Sequence, residues 1–148
     1  MQIISPDTLN YIGAKVTLIG MATKMVRAER TTGNRVALES ARKGLAASED
    51  DYEKAMGELA PDQRAWVETL LAKPLEMARA GKDGYNEAVY MAQIKWADDQ
   101  IRELETITAE LKDARSEWVQ DAMSYDVSAY QVAKMCGRTP STVQRWVR

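Results

Sequence analysis

Near the end of the chain, in the string TPSTVQRWVR, a hydroxyl, an amide and two guanidinium groups recur at Ser141, Gln144, Arg145 and Arg148. On a helix turning about 100° per residue these four share one side, while Val143 and Trp146 point the other way. The chemistry available to such a face is hydrogen bonding, and it is what reading base edges in a major groove requires. Ser141, Gln144 and Arg145 would meet base edges. Arg138, Thr139 and Arg148, together with Tyr130 and Gln131 just upstream, would hold phosphates, and Thr142 completes the set. Contacts to phosphate position a protein without specifying sequence.

Chemistry of the bond-making kind has few carriers. The chain has no histidine, so the usual general base, metal ligand and partner for a Ser or Cys nucleophile are unavailable. Asp98, Asp99, Glu103 and Glu105 cluster in one stretch. A di-metal carboxylate bundle would require Glu-x-x-His pairs, which the chain lacks; these residues read as solvated helix charge, with an acidic magnesium site as the alternative. No glycine-rich phosphate loop is present. The expectation is a protein that is not an enzyme and carries no cofactor and no metal.

The basic face needs two short helices to position it. Ser128 is a good N-cap for Ala129–Cys136, and Gly137 stops that helix in the left-handed conformation that glycine adopts without steric cost. Thr139 and Pro140 then restart the chain as N-cap and first helical residue, and the second helix runs to Arg148. Val132, Ala133 and Met135 on the first helix are expected to pack against Val143 and Trp146 on the second. Cys136, the single cysteine, is expected to fill a small core site beside the turn, as in a cytoplasmic protein.

In VAKMCGRTPSTVQRW, Ala133, Gly137, Val143 and Trp146 sit at the offsets of the small residue, turn glycine and two apolar anchors of helix-turn-helix DNA-binding domains. The stretch Val127–Arg148 resembles bacterial and phage members of that class, homeodomain-like or similar to resolvase tails and excisionases. A supporting helix reaching back to about Ala109 would complete the module. No wing follows Arg148, which separates it from winged relatives. The resemblance implies double-stranded DNA as a partner.

The net charge of −2 is unevenly spread. Met1–Leu45 holds seven Lys/Arg against three Asp/Glu, Ala46–Asp126 nine against nineteen, and Val127–Arg148 four against none. A basic tip on an acidic body suits a DNA reader whose body repels DNA and so orients the tip. Scarce glycine and proline, abundant alanine, leucine and charged residues, and no phenylalanine give an all-α class. No run is long and apolar enough to span a membrane, and the N-terminus lacks the pattern of a secretory signal.

Taken in order, Ser5-Pro6-Asp7 starts a first helix with Leu9, Ile12, Val16, Ile19 and Val26 on one face, interrupted only by Thr23. Thr31–Asn34 turns it. Leu38, Leu45, Tyr52 and Leu59 form a seven-residue row, with Ala41, Ser48 and Ala55 allowing close packing. One helix is expected there despite Gly44. A third element begins at Pro61, with Trp66, Val67, Leu70 and Leu71 on a face, and Pro74 must kink or end it. Gly81–Gly84 is a loop. From about Tyr85 to Met123 neither glycine nor proline occurs, and Ala97, Leu104, Leu111 and Trp118 form one heptad row. Ile94 and Ile101 begin the other, which fades into Thr108 and Arg115. Trp66, Trp96 and Trp118 read as core or seam residues.

The expected architecture is therefore a helical bundle over residues 1–108, continuing through a long helix into a helix-turn-helix over 109–148. The function this implies is sequence-specific DNA binding by a small bacterial or phage transcriptional regulator. Its expected state is a homo-oligomer, most simply a dimer, with the bundle setting spacing or docking a partner protein. Its expected location is the cytoplasm, at the nucleoid or in a host cell if phage-encoded. The alternative is a helical structural or interaction protein, such as a small terminase-like packaging factor or an inhibitory factor, with the tip as an accessory.

Overall fold

The computed structural model describes residues 4–147, all of whose regular structure is helical. The order is α1 (Pro6–Thr32), α2 (Arg35–Gly57), α3 (Pro61–Arg79), α4 (Tyr85–Ser124), α5 (Ala129–Cys136) and α6 (Pro140–Trp146). Contacts divide the chain into two compact units, Met1–Asp98 and Asp99–Arg148, so α4 contributes to both. Among the described residues no helix is long and apolar enough to cross a membrane.

In the first unit α1 is the central element and packs on both α2 and α3. Its start follows local rules: Ser5 Oγ accepts the Thr8 N–H at 3.1 Å, with Pro6 at the first helical position. Leu9, Ile12, Val16, Ile19 and Val26 are buried as their spacing requires. Thr23 does not interrupt that face. It is buried among them because its hydroxyl donates to the Ile19 carbonyl at 2.8 Å and so carries its hydrogen bond with it.

Two glycines of α1 admit α4. A Cβ at Gly13 would lie 2.6 Å from Gln93 Nε2 and 2.9 Å from Val89, and one at Gly20 only 2.4 Å from the Tyr85 ring. The close approach is fastened by Gln93 Nε2 donating to the Leu9 carbonyl and by Thr17 donating to Asn86. The Lys24–Asp83 ion pair, which raises the lysine pKa and lowers the aspartate's through their hydrogen bond, lies farther along the same side.

Gly33 turns α1 into α2 with φ 71°, and Asn34 caps the new helix. α2 is a single helix through Gly44, with Ala41, Tyr52, Ala55 and Met56 buried. α3 continues past Pro74, itself buried, to Arg79. Arg79 there forms a two-bond pair with Glu49 of α2. Trp96 is buried in this core with the Trp66 ring 6.0 Å away at 59°.

The second unit is held by a smaller core of Val119 from α4, Val132 and Ala133 from α5 and Val143 from α6, flanked by Met123, Val127, Trp146 and Val147. Along the long helix in this unit Ile101, Leu104, Leu111 and Trp118 are all exposed, Trp118 to 67%. The core or seam role expected of Trp118 is therefore not met inside the chain. The side of α4 that α5 and α6 cover is marked by Val119 and Met123, and Trp118, about 100° further round the helix, stays outside that core.

Candidate functional site

Two turns fix the directions of α5 and α6. At the end of α4 the Val127 N–H bonds the Ala122 carbonyl at 3.2 Å and the Asp126 N–H bonds Met123 at 3.1 Å. This is a Schellman closure, with Asp126 in the left-handed region at φ 66°. At the end of α5 the same closure recurs: the Arg138 N–H bonds Ala133 and the Gly137 N–H bonds Lys134, with Gly137 at φ 65°. Between these turns Ser128 and Gln131 form a reciprocal capping box. Ser128 Oγ accepts the Gln131 N–H at 3.1 Å, and Gln131 Oε1 accepts the Ser128 N–H at 2.8 Å.

α6 opens as its sequence requires, with Thr139 as N-cap and Pro140 first. Thr139 Oγ1 accepts the Thr142 N–H at 3.3 Å and lies 3.1 Å from Ser141 Oγ and 2.9 Å from Thr142 Oγ1. Arg145 Nη2 donates to Thr142 Oγ1 at 3.0 Å. Ser141, Thr139, Thr142 and Arg145 thus form one hydrogen-bonded string along the outer side of α6. Gln144 is exposed beside it. Val143, fully buried, points the opposite way into the small core.

The structure brings together Thr139, Ser141, Thr142 and Arg145. Arg138 is exposed at the turn, and Tyr130 and Gln131 lie exposed on the first turn of α5. The carbonyl oxygen of Gln131 is committed to its cap. Arg148 lies outside the described residues, and α6 ends at Trp146 with Val147 as its C-cap. Two residues expected inside are outside. Met135 is 80% exposed and Cys136 is exposed. The cause is angular: Val132 and Ala133 take the whole inner side of this two-turn helix, leaving the last turn to solvent.

Two further residues bear on this surface. Lys134 is exposed on α5 and adds a cation that its type alone could have signalled. Arg115 of α4 lies with its guanidinium carbon 3.9 Å from the Trp146 ring centre. An arginine at a heptad position usually marks a fading seam; here it marks a cation–π contact to a side chain far along the sequence.

Electrostatically the surface is one-signed. Among the described residues from Val127 on, Lys134, Arg138 and Arg145 are the charged side chains, and all three are exposed. Such an arrangement can donate hydrogen bonds to anionic or acceptor-rich partners. No group of three His, Cys, Asp or Glu side chains that could hold a metal ion occurs among the described residues. No protein-family model, curated protein or solved structure matches the chain.

Proposed function

We propose that the protein binds double-stranded DNA in a sequence-specific manner, with α5 and α6 acting as a helix-turn-helix and α6 entering the major groove. The observation that carries this reading is the outer side of α6: Ser141, Gln144 and Arg145 are exposed on a helix whose other side is anchored by Val143 and Trp146. Gln and Arg on one helix face offer the bidentate donors and acceptors that adenine and guanine edges match. The hydroxyl string from Thr139 to Arg145 holds that guanidinium at the helix surface before any partner arrives. Arg138, Lys134 and Tyr130 surround it with groups suited to phosphate. A small regulator is the role this supports best, acting as a homo-oligomer because one such module reads only a half-site.

The exposed row on α4 favours a second reading, in which assembly is the main task and DNA contact serves it, as in a packaging factor. The size of the assembly separates the two: a ring of many copies would support packaging, and a dimer a regulator.

The test is fluorescence anisotropy with labelled duplex DNA, comparing the full chain with an Arg138→Ala, Arg145→Ala double variant. Both residues are exposed, so the fold is kept. The wild type should bind with log affinity falling about 0.9 per phosphate contact for each log unit of salt. The variant should bind more weakly and with a shallower slope. Unchanged binding in the variant would remove the tip from the reading.

A further inference from the structure

Ile101, Leu104, Thr108 and Leu111 follow one another along α4 at the three- and four-residue steps of a coiled-coil seam, and Trp118 stands one heptad beyond Leu111, with Arg115 between them. Those four and Trp118 are exposed, Leu111 to 62%. Ile101, Leu104 and Thr108, with Ala109, line a groove of about 360 Å³ that is flanked by Glu105 and Lys112. Interrupted by Thr108 and Arg115, this stripe still leaves four large apolar side chains in water on a single helix, which marks an interaction site.

Charge decides what covers it. Glu105 and Lys112 stand one heptad apart on the same flank of the stripe, and neither forms an ion pair among the described residues. Two copies of α4 running in opposite directions, with Ile101 of each opposite Trp118 of the other, would set Glu105 beside Lys112 of the second copy. Two-fold symmetry makes that pair twice. The same register stacks Thr108 on Leu111 and places Arg115 opposite Leu104, its charge already held over the Trp146 ring. A parallel pairing in register would bring Arg115 against Arg115. It would also face Glu105 with Gln100 and Lys112 with Ile107, losing both ion pairs.

We infer that residues 101–118 of α4 form the seam of an antiparallel homodimer, with a second copy of this chain as the occupant of the groove. One consequence rests on the DNA-binding reading. At 1.5 Å per residue this register sets the two Val119 residues, on which the tips are built, about 28 Å apart along the helix pair. That is close to the roughly 34–36 Å between half-sites one DNA turn apart.

The experiment uses the full chain without DNA, so its outcome is separate from that of the DNA reading. In a Cys136→Ser background, Ile101→Cys and Trp118→Cys variants are oxidised singly and as a mixture. The mixture should give a disulfide-linked dimer containing one of each. Ile101→Cys alone should not link, because its copies stand about 25 Å apart in this register, whereas a disulfide needs Cα atoms within about 7 Å. Linking of Ile101→Cys alone would mean parallel helices and overturn the inference. A 16.6 kDa mass for the wild type at micromolar concentration would overturn it as well. As a measurement that leaves the apolar row intact, Glu105→Lys should shift the mass toward the monomer, and adding Lys112→Glu should restore the dimer. A double variant that stays with the single one contradicts the pairing.

Discussion

The guanidinium carbon of Arg115 sits 3.9 Å above the ring of Trp146, joining α4 to the last helix of the chain. The contact helps a helix of only seven residues keep its direction. Trp146 is half-buried and borders the core of Val119, Val132, Ala133 and Val143. Trp146→Ala should therefore cost about 2–3 kcal/mol, below the full cost of removing a buried tryptophan. Arg115→Ala should cost about 1 kcal/mol. Both losses should fall on residues 119–147 in hydrogen exchange and leave protection of α1–α3 unchanged.

Asp126 occupies the left-handed position of a Schellman closure that Gly137 occupies in the next one. A non-glycine residue there costs roughly 1 kcal/mol, and a carboxylate beside a helix C-terminus adds unfavourable charge. Asp126→Gly should raise the stability of the second unit by up to about 1 kcal/mol in thermal or denaturant unfolding. A loss of stability would mean that the aspartate side chain holds the turn.

Replacing glycine by alanine inside a helix ordinarily stabilises it by about 0.5–1 kcal/mol. Gly44→Ala should show that gain, since a Cβ there meets nothing within 4 Å. Gly20→Ala should have the opposite sign, by about 1–3 kcal/mol, because its Cβ would enter the Tyr85 ring. Denaturant melts of the two variants give both signs. A gain at Gly20 would show that Tyr85 yields at little cost.

Most of the helical plan was legible in the residues. Caps at Ser5, Ser128 and Thr139, prolines at Pro6, Pro61 and Pro140, and the turn glycines Gly33, Gly81 and Gly137 act locally, so spacing reveals them. What was hidden depends on partners distant in sequence. Nothing next to Gly13 and Gly20 in sequence signals that Val89, Gln93 and Tyr85 lie against them. Arg115 looked like a broken heptad until Trp146 met it. The outer face of α6 was readable because the inward Val143 fixes it. Met135 and Cys136 were misread because apolar character was taken for burial in a helix too short to bury more than Val132 and Ala133.

Within the tip the two arginines should differ. Arg145 stands on the exposed side of α6 and Arg138 at the turn before it. Arg145→Ala should lose about 1–3 kcal/mol on the preferred site and blur one base position. Arg138→Ala should weaken all sequences alike. Anisotropy titrations against preferred and scrambled duplexes distinguish these; equal losses on both duplexes in both variants would reduce the face to an electrostatic patch.

The central claim is that α6 reads DNA sequence. It is tested most directly by repeated selection of fragments from random duplex DNA on the full-length protein, with Arg145→Ala carried through in parallel. The account predicts that the wild type enriches one motif over successive rounds, and that the variant's motif loses preference at one position per half-site. Pools that stay random with the wild type, or the same motif enriched unchanged by the variant, would contradict it.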